Sequence, residues 1–307
     1  MTDTRLTRTY LAVPAHRERM VERAAGSTAD AVFLDLEDAV PVSEKKQALL
    51  AAIDAIERLD WGGKTVTVRI NAIGSPFIED EVHRLAGLSR LDAVLLPKAE
   101  RVADVSALGE ALATHRGNRS EALDLELLIE TALGVVNVDA LAAAHPSVSA
   151  LHFGVGDFSA SIGARSDEIG LSPSAYRHIG AAADGHPETS LDLFAYPMMR
   201  ILVAARAFNL RAIDGPFGAF RDLPGTTGSA VKAAAMGYDG KQVIHPEQIE
   251  PTRMAFQPSD VEIASARRVI EAMETAERDG HGAATLDGRM IDIANIRMAA
   301  KVLRLAD

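Results

Sequence analysis

The chain has 307 residues, 48% of them hydrophobic and 24% charged, with a formal net charge of −11. That length suits one large domain or two ordinary ones, and the acidic balance argues against nucleic acid or an anionic membrane as the main partner. The chain has no cysteine, which excludes disulfides and thiolate metal sites. The opening stretch MTDTRLTRTYLAVPAHRERM lacks the apolar core of a signal peptide, and no apolar run approaches the roughly 18 residues needed to span a bilayer. A soluble cytoplasmic protein is expected.

Short apolar runs recur along the chain, and helix-period stretches separate them. TYLAV (9–13) precedes MVERAAGST, and AVFLDLE (31–37) precedes SEKKQALLAAIDAIERL. TVTVRIN (65–71) and AVLLPK (93–98) follow, then DVSALGEALATHR. LELLIE (125–130) and ALHFGVGD (150–157) lead to FAYPMMRILVAARAFN. RAIDG (211–215), a SAVK…AAMGY helix and KQVIH (241–245) complete the set. Eight strand–helix units over residues 1–250 predict a parallel (β/α)8 TIM barrel, with an open doubly wound sheet as the structural alternative. No GxGxxG follows the first strand, which counts against a dinucleotide fold. HPEQIEPTRMAFQPS reads as a connector, and the sequence after it as a helix stopped by Gly280, a turn and a last amphipathic helix. Residues 251–307 therefore form a helical extension, a candidate lid or oligomer arm.

In such a barrel the chemistry sits at the C-terminal ends of the strands. The second to eighth predicted strands end in Glu37 and Asp38, Arg69 and Asn71, Lys98, Glu130, Asp157, Asp214 and His245. Oxygen ligands without cysteine suit a hard cation such as Mg²⁺. Glu130 and Asp157, on adjacent strands, are the core of that reading, with Glu37 and Asp38 facing them. Asp38 can instead cap a helix or pair with Lys45 or Lys46. Arg69 can fork onto a carboxylate or stabilise an enolate oxygen, or balance Glu37 or Glu130. Lys98 and Lys241 are candidate Schiff-base amines. His245 reads better as a loop histidine than as a catalytic one.

FLDLEDAV, VRIN, LLPKAE, LLIETALGV and GVGDFSA, in that order, resemble the HpcH/HpaI aldolase superfamily, in its citrate lyase β-subunit and malyl-CoA lyase branch. IDGPFGAFRD (213–222) and GYDGKQVIHPEQ (237–248) are similar to the malyl-CoA lyase side. The resemblance implies a barrel dependent on Mg²⁺, or Mn²⁺ in its place, that makes or breaks a carbon–carbon bond in a 3-hydroxyacyl-CoA. Glu130 and Asp157 would be the metal ligands, and Glu37 and Asp38 would hold the metal's water shell. Arg69 would meet the thioester or enolate oxygen. Arg17 and Arg23 would meet coenzyme A phosphates, and Ile213, Asp214 and Pro216 of IDGP would line its groove. Asp292 of GRMIDIANIRMA would be a tail acid that reaches a neighbouring subunit's site, with Asp287 its competitor. For Asp292 the simpler role is to cap the last helix.

The implied reaction joins an acyl-CoA to a 2-oxo acid, glyoxylate or pyruvate, and runs in reverse. Asp292 would take the proton and Arg69 would stabilise the enolate. Malyl-CoA, β-methylmalyl-CoA and citramalyl-CoA are the expected substrates, and a homo-trimer or homo-hexamer the expected assembly. Three rivals stand beside this reading. One is a malyl-CoA thioesterase on the same site and another a Schiff-base aldolase. The third is a citrate-lyase-type β subunit, or an inactive paralogue, working only in a complex.

Overall fold

The computed structural model describes residues 6–120, 123–178, 189–278 and 280–306. All eight predicted strands are present: β1 (Thr9–Pro14), β2 (Ala31–Asp35), β3 (Thr65–Arg69), β4 (Ala93–Leu96), β5 (Asp124–Ile129), β6 (Val148–Phe153), β7 (Arg211–Asp214) and β8 (Gly240–Val243). Each pairs in parallel with its sequence neighbour, and β8 returns to β1 through Thr9–Lys241 and Leu11–Val243. The sheet is a closed barrel, not an open doubly wound one. Strands such as the fully buried AVLL of β4 are continuous apolar runs, because helices cover the outer face and side chains fill the inner one.

Helices α1 (Glu18–Ala25), α2 (Lys45–Arg58), α3 (Ile78–Leu85), α4 (Val102–Thr114), α5 (Ala132–Ala142), α6 (Val155–Ser161), α7 (Ala195–Ala207) and α8 (Leu223–Met236) connect the strands. α8 shows how local chemistry sets these boundaries. Asp222 caps it by accepting the Gly225 N–H at 2.9 Å, and Pro224 sits in its first turn. Gly237, left-handed at φ 109°, ends it.

Most predicted strands end early, the fourth at Leu96 and the eighth at Val243 among them. The second stops at Asp35, the third at Arg69 and the sixth at Phe153. Glu37 and Asp38 therefore lie in the β2–α2 loop, and Asp157 lies in the first turn of α6. The predicted connector is also more ordered than expected. Pro246–Gln248 form a 3₁₀ turn and Ile249–Phe256 a helix, α9, with Gln248, Ile249 and Phe256 buried. Pro246 and Pro251 fall in first turns, where the missing N–H costs nothing.

The barrel interior carries a sealed polar layer. Glu126 and His152 are fully buried. Tyr10 Oη donates to both Glu126 oxygens at 2.9 Å, and Arg211 Nη2 donates to Oε1 at 2.9 Å. His152 Nε2 lies 3.0 Å from Oε2, while its Nδ1 lies 3.1 Å from Gln242 Nε2. Burial works against the Glu126 carboxylate, but the His152 hydrogen bond and the Arg211 charge outweigh it and lower its pKa.

The chain divides into two compact units, one up to Thr252 and the other from Arg253. The second holds α10 (Asp260–Arg278), a hairpin of Ala284–Leu286 with Arg289–Ile291, and α11 (Ile293–Ala306). Asp287 (φ 52°) and Gly288 (φ 75°) make the tight turn of the hairpin. The Asp-Gly pair there is a strong hairpin signal, and the sequence reading passed over it. Among the described residues no helix is long and apolar enough to cross a membrane.

Candidate active site

The C-terminal mouth of the barrel is built from strand ends and the loops just beyond them. Asp35 ends β2 and Arg69 ends β3, and the two residues are register partners. The Arg69 guanidinium forks onto Asp35, with Nε–Oδ1 at 2.7 Å and Nη2–Oδ2 at 2.6 Å. Its Nη1 lies 3.6 Å from Glu37. Burial opposes the Arg69 charge, but Asp35 more than compensates and raises its pKa. The main partner of Arg69 is thus Asp35, and not Glu37 or Glu130 as the sequence reading weighed. Asp35 is the site residue that reading missed. Its signal was present: in FLDLED, Asp35 and Glu37 alternate with leucines on one strand face.

Glu37 is buried and Asp38 exposed. Both pair with Lys98, whose Nζ is hydrogen-bonded to Glu37 and lies 3.2 Å from Asp38 and 3.8 Å from Asp157. The alternative pairing with Lys45 or Lys46 does not form. Lys45 instead donates to the carbonyls of Leu36 and Glu37, both at 2.8 Å, and pins the loop from beneath. Burial works against the Lys98 ammonium, but Glu37 and Asp38 overcome it and raise its pKa. An amine held protonated is a poor Schiff-base nucleophile. Lys98 also has φ 51°, a left-handed conformation costly for a side chain with a Cβ. It is held at both ends: Nζ by Glu37 and Asp38, and its backbone N–H by Glu130 Oε1 at 2.8 Å.

Glu130 directly follows β5 and is buried. Gly154, the N-cap of α6, backs it, and a Cβ at 154 would overlap the Glu130 side chain. Gly154→Ala is therefore expected to displace Glu130 and lower kcat/KM by about 10²-fold in a folded protein, read by steady-state kinetics beside a circular dichroism spectrum. Asp157, half-exposed, comes from the first turn of α6. Burial and the Asp157 carboxylate raise the Glu130 pKa to about 8. Two carboxylates that feel each other's charge, one of them buried, disfavour double ionisation until a cation joins them. The donor set is all oxygen and fits a hard divalent ion, with Glu130 and Asp157 as the residues that would hold it. Among the described residues no group of three acidic or histidine side chains converges as a closed cage. With these two as ligands, the remaining positions would go to water and substrate oxygens, as Mg²⁺ prefers.

The other sequence candidates fall into three groups. Arg17, at the N-cap of α1, and Arg23, in its last turn, are exposed, and neither forms an ion pair among the described residues. Ile213 packs with Tyr10, Phe33, Leu95 and Leu128 in the core. Asp214 is buried against Lys241 Nζ at 2.6 Å, and Lys241 also donates to the Gly215 carbonyl. Ile213 and Asp214 are thus committed to the barrel, and Pro216, partly exposed, is the member of IDGP nearer solvent. Lys241 is sealed in that pair and is not presented as a nucleophile. His245 caps the 3₁₀ turn and stacks on Phe220, as a loop histidine does. In the second unit, Asp292 is exposed and caps α11, accepting the Ala294 N–H at 2.9 Å. Asp287 pairs with Arg268 at 2.6 Å.

The sequence profile of the HpcH/HpaI aldolase/citrate lyase family matches residues 8–246. An L-malyl-CoA/β-methylmalyl-CoA lyase of Rhodobacter capsulatus is 37% identical, over 99% of this chain and 95% of its own length. A (3S)-malyl-CoA thioesterase of Cereibacter sphaeroides is 34% identical, over 98% of this chain and 94% of its own. Among solved structures, CitE from Mycobacterium tuberculosis, in complex with magnesium, acetoacetate and coenzyme A, superposes with a TM-score of 0.74 at 33% identity, covering 99% of both chains. The closed barrel, the ordered motifs at its mouth and this full-length similarity agree: the chain belongs to the HpcH/HpaI aldolase/citrate lyase family.

Proposed function

We propose that the protein is a Mg²⁺-dependent carbon–carbon lyase. It reversibly cleaves a 3-carboxy-3-hydroxyacyl-CoA (malyl-CoA, β-methylmalyl-CoA or citramalyl-CoA) to an acyl-CoA and glyoxylate or pyruvate. The observation that carries the reading is the Glu130–Asp157 carboxylate pair beside the Asp35-anchored Arg69. Its support outside the site is the full-length similarity to a lyase acting on those substrates.

Glu130 and Asp157 would hold the metal, and the Lys98 backbone N–H fixes which way the Glu130 carboxylate faces. When bound, Mg²⁺ supplies a Lewis acid for the 2-oxo acid carbonyl. Arg69, locked by Asp35, presents a fixed positive charge to the enolate oxygen of the acyl-CoA, at no cost in reorganisation. Glu37 and Asp38, oriented by Lys98, order the waters around the site. Asp292, contributed by a second subunit of a homo-trimer or homo-hexamer in the cytoplasm, takes the proton from the acyl carbon in the condensing direction. Arg17, Arg23 and Pro216 meet coenzyme A.

Purified protein with Mg²⁺ and (S)-malyl-CoA, (S)-citramalyl-CoA or β-methylmalyl-CoA is expected to release glyoxylate or pyruvate with an acyl-CoA, identified by mass. Asp292→Ala is expected to lose this by about 10²–10⁴-fold, the usual contribution of a general base. Free CoA with the hydroxy acid alone would mark the thioesterase reading, which the 34% identical relative favours. No turnover at all would point to a subunit that works only in a complex.

The raised pKa of Glu130 adds a pH dependence. Without metal, the folded state keeps a proton on Glu130 up to about pH 8, while the unfolded chain releases it near pH ~4.3. That stabilisation is complete below the unfolded value and lost as pH rises through about 8. In EDTA, wild-type Tm is expected to fall between roughly pH 5 and 8.5 by more than that of Glu130→Gln. The Tm gain from added Mg²⁺ grows over the same interval, because proton and cation compete for one carboxylate. Identical pH profiles for the two proteins would remove Glu130 from the metal site.

A further inference from the structure

His83 and His115 lie outside the chemistry described so far. His83 is in the last turn of α3, and His115 caps the C-terminus of α4. Both are exposed. In a barrel whose helices run antiparallel to its strands, helix C-termini lie at the end opposite the carboxylate mouth. The two rings meet nearly edge to face, with centroids 4.9 Å apart and planes at 78°. Their Nδ1 atoms are 3.3 Å apart.

That separation has two physical readings. One is an N–H···N hydrogen bond between neutral rings, which is long against the usual range of roughly 2.9–3.0 Å. The other is a shared ion. Two imidazole nitrogens at about 2.05 Å from one tetrahedral metal are held about 3.3 Å apart. Two further features favour the ion. Each histidine stands at a helix C-terminus, and each such end carries roughly half a negative charge. Arg84, the nearest arginine in sequence to His83, is tied to Asp80 at 2.7 Å.

We propose that His83 and His115 form a surface binding site for one borderline transition-metal ion, Zn²⁺ or Cu²⁺, separate from the carboxylate mouth. Among the described residues no third acidic or histidine side chain joins the pair. Two coordination positions are therefore protein nitrogen, and the rest belong to water or an incoming ligand. Imidazole without carboxylate selects Zn²⁺ or Cu²⁺ and rejects Mg²⁺, the reverse of the preference at the mouth. Because one ligand comes from each helix, the ion also ties the ends of α3 and α4 together, so its binding adds to folding stability.

The test uses the full chain with excess Mg²⁺ present, so that the carboxylate site is saturated. Zn²⁺ is titrated by calorimetry, and Cu²⁺ is followed by electron paramagnetic resonance. Wild type is expected to take up one Zn²⁺ per chain, to rise in Tm with it, and to show a Cu²⁺ spectrum split by two nitrogens. His83→Ala and His115→Ala, both at exposed positions, are each expected to weaken binding by roughly tenfold or more and to lose the two-nitrogen splitting. His83→Gln, which keeps side-chain bulk, is expected to behave like the alanine variant. The proposal is overturned if wild type takes up no Zn²⁺ under excess Mg²⁺, or if the variants bind as tightly as wild type with an unchanged Cu²⁺ spectrum.

Discussion

Glu130→Gln is expected to lose turnover by roughly 10³-fold or more without losing stability, since the metal's Lewis acidity is worth several kcal/mol at the transition state. The two halves of this expectation share one cause. Glu130 is buried beside Asp157 with its pKa raised to about 8, so its charge is a burden on the fold until a cation arrives. Glutamine has the same shape, and its amide oxygen still accepts the Lys98 N–H, but it brings no charge to a divalent ion. In metal-free protein near pH 8, Tm should therefore hold or rise, while Mg²⁺ ceases to raise it and product formation stops. Wild-type turnover in this variant would sink the assignment of Glu130 as a metal ligand. A destabilised protein would instead mean that the side chain is structural.

Glu126→Ala is expected to do the opposite and strike the fold. Removing one partner of a buried ion pair typically costs about 3–5 kcal/mol, because the remaining charge has lost its compensation. Here the loss touches three donors at once: Tyr10, Arg211 and His152. For a domain of this size, that cost corresponds to a fall in Tm of roughly 6–20 °C, measurable by calorimetry or urea titration. Glu126→Gln, which keeps an acceptor in place, should cost distinctly less. Equal effects of the two variants would show that volume, and not charge, is what Glu126 contributes.

The barrel was legible because parallel strands buried on both faces read as short, mostly apolar runs, and eight of them separated by helical stretches leave few architectures. The polar ends of those runs were legible for a related reason: charges on otherwise apolar strands stand out. What was hidden lay in conformation and in pairing across the sequence. GVGD reads as a continued strand, but Gly154 breaks it and Asp157 arrives on a helical turn. Lys98 was weighed as a nucleophile, because nothing in LLPKAE reveals a left-handed backbone or a side chain turned onto the β2–α2 loop. Asp35 shows no role in FLDLED alone, since its partner Arg69 is distant in sequence. Glu126 stood in plain view two residues from Leu128 and four from Glu130 on the same face of β5. Only closure of the barrel brings Tyr10 and Arg211 to it.

The charges at the mouth also bear on kinetic order. Among the described residues Asp35, Glu37, Asp38 and Asp157 face Arg69 and Lys98, so the side chains gathered there lean negative even with Glu130 protonated. An oxo acid approaches such a surface as an anion and is repelled. A divalent cation is drawn in, and once seated it offsets most of that excess and gives the oxo acid a direct partner. The arrangement thus imposes sequential loading, with the cation as the leading reactant and the oxo acid following it. Initial-rate patterns should then show the oxo acid's apparent KM rising steeply as Mg²⁺ is lowered.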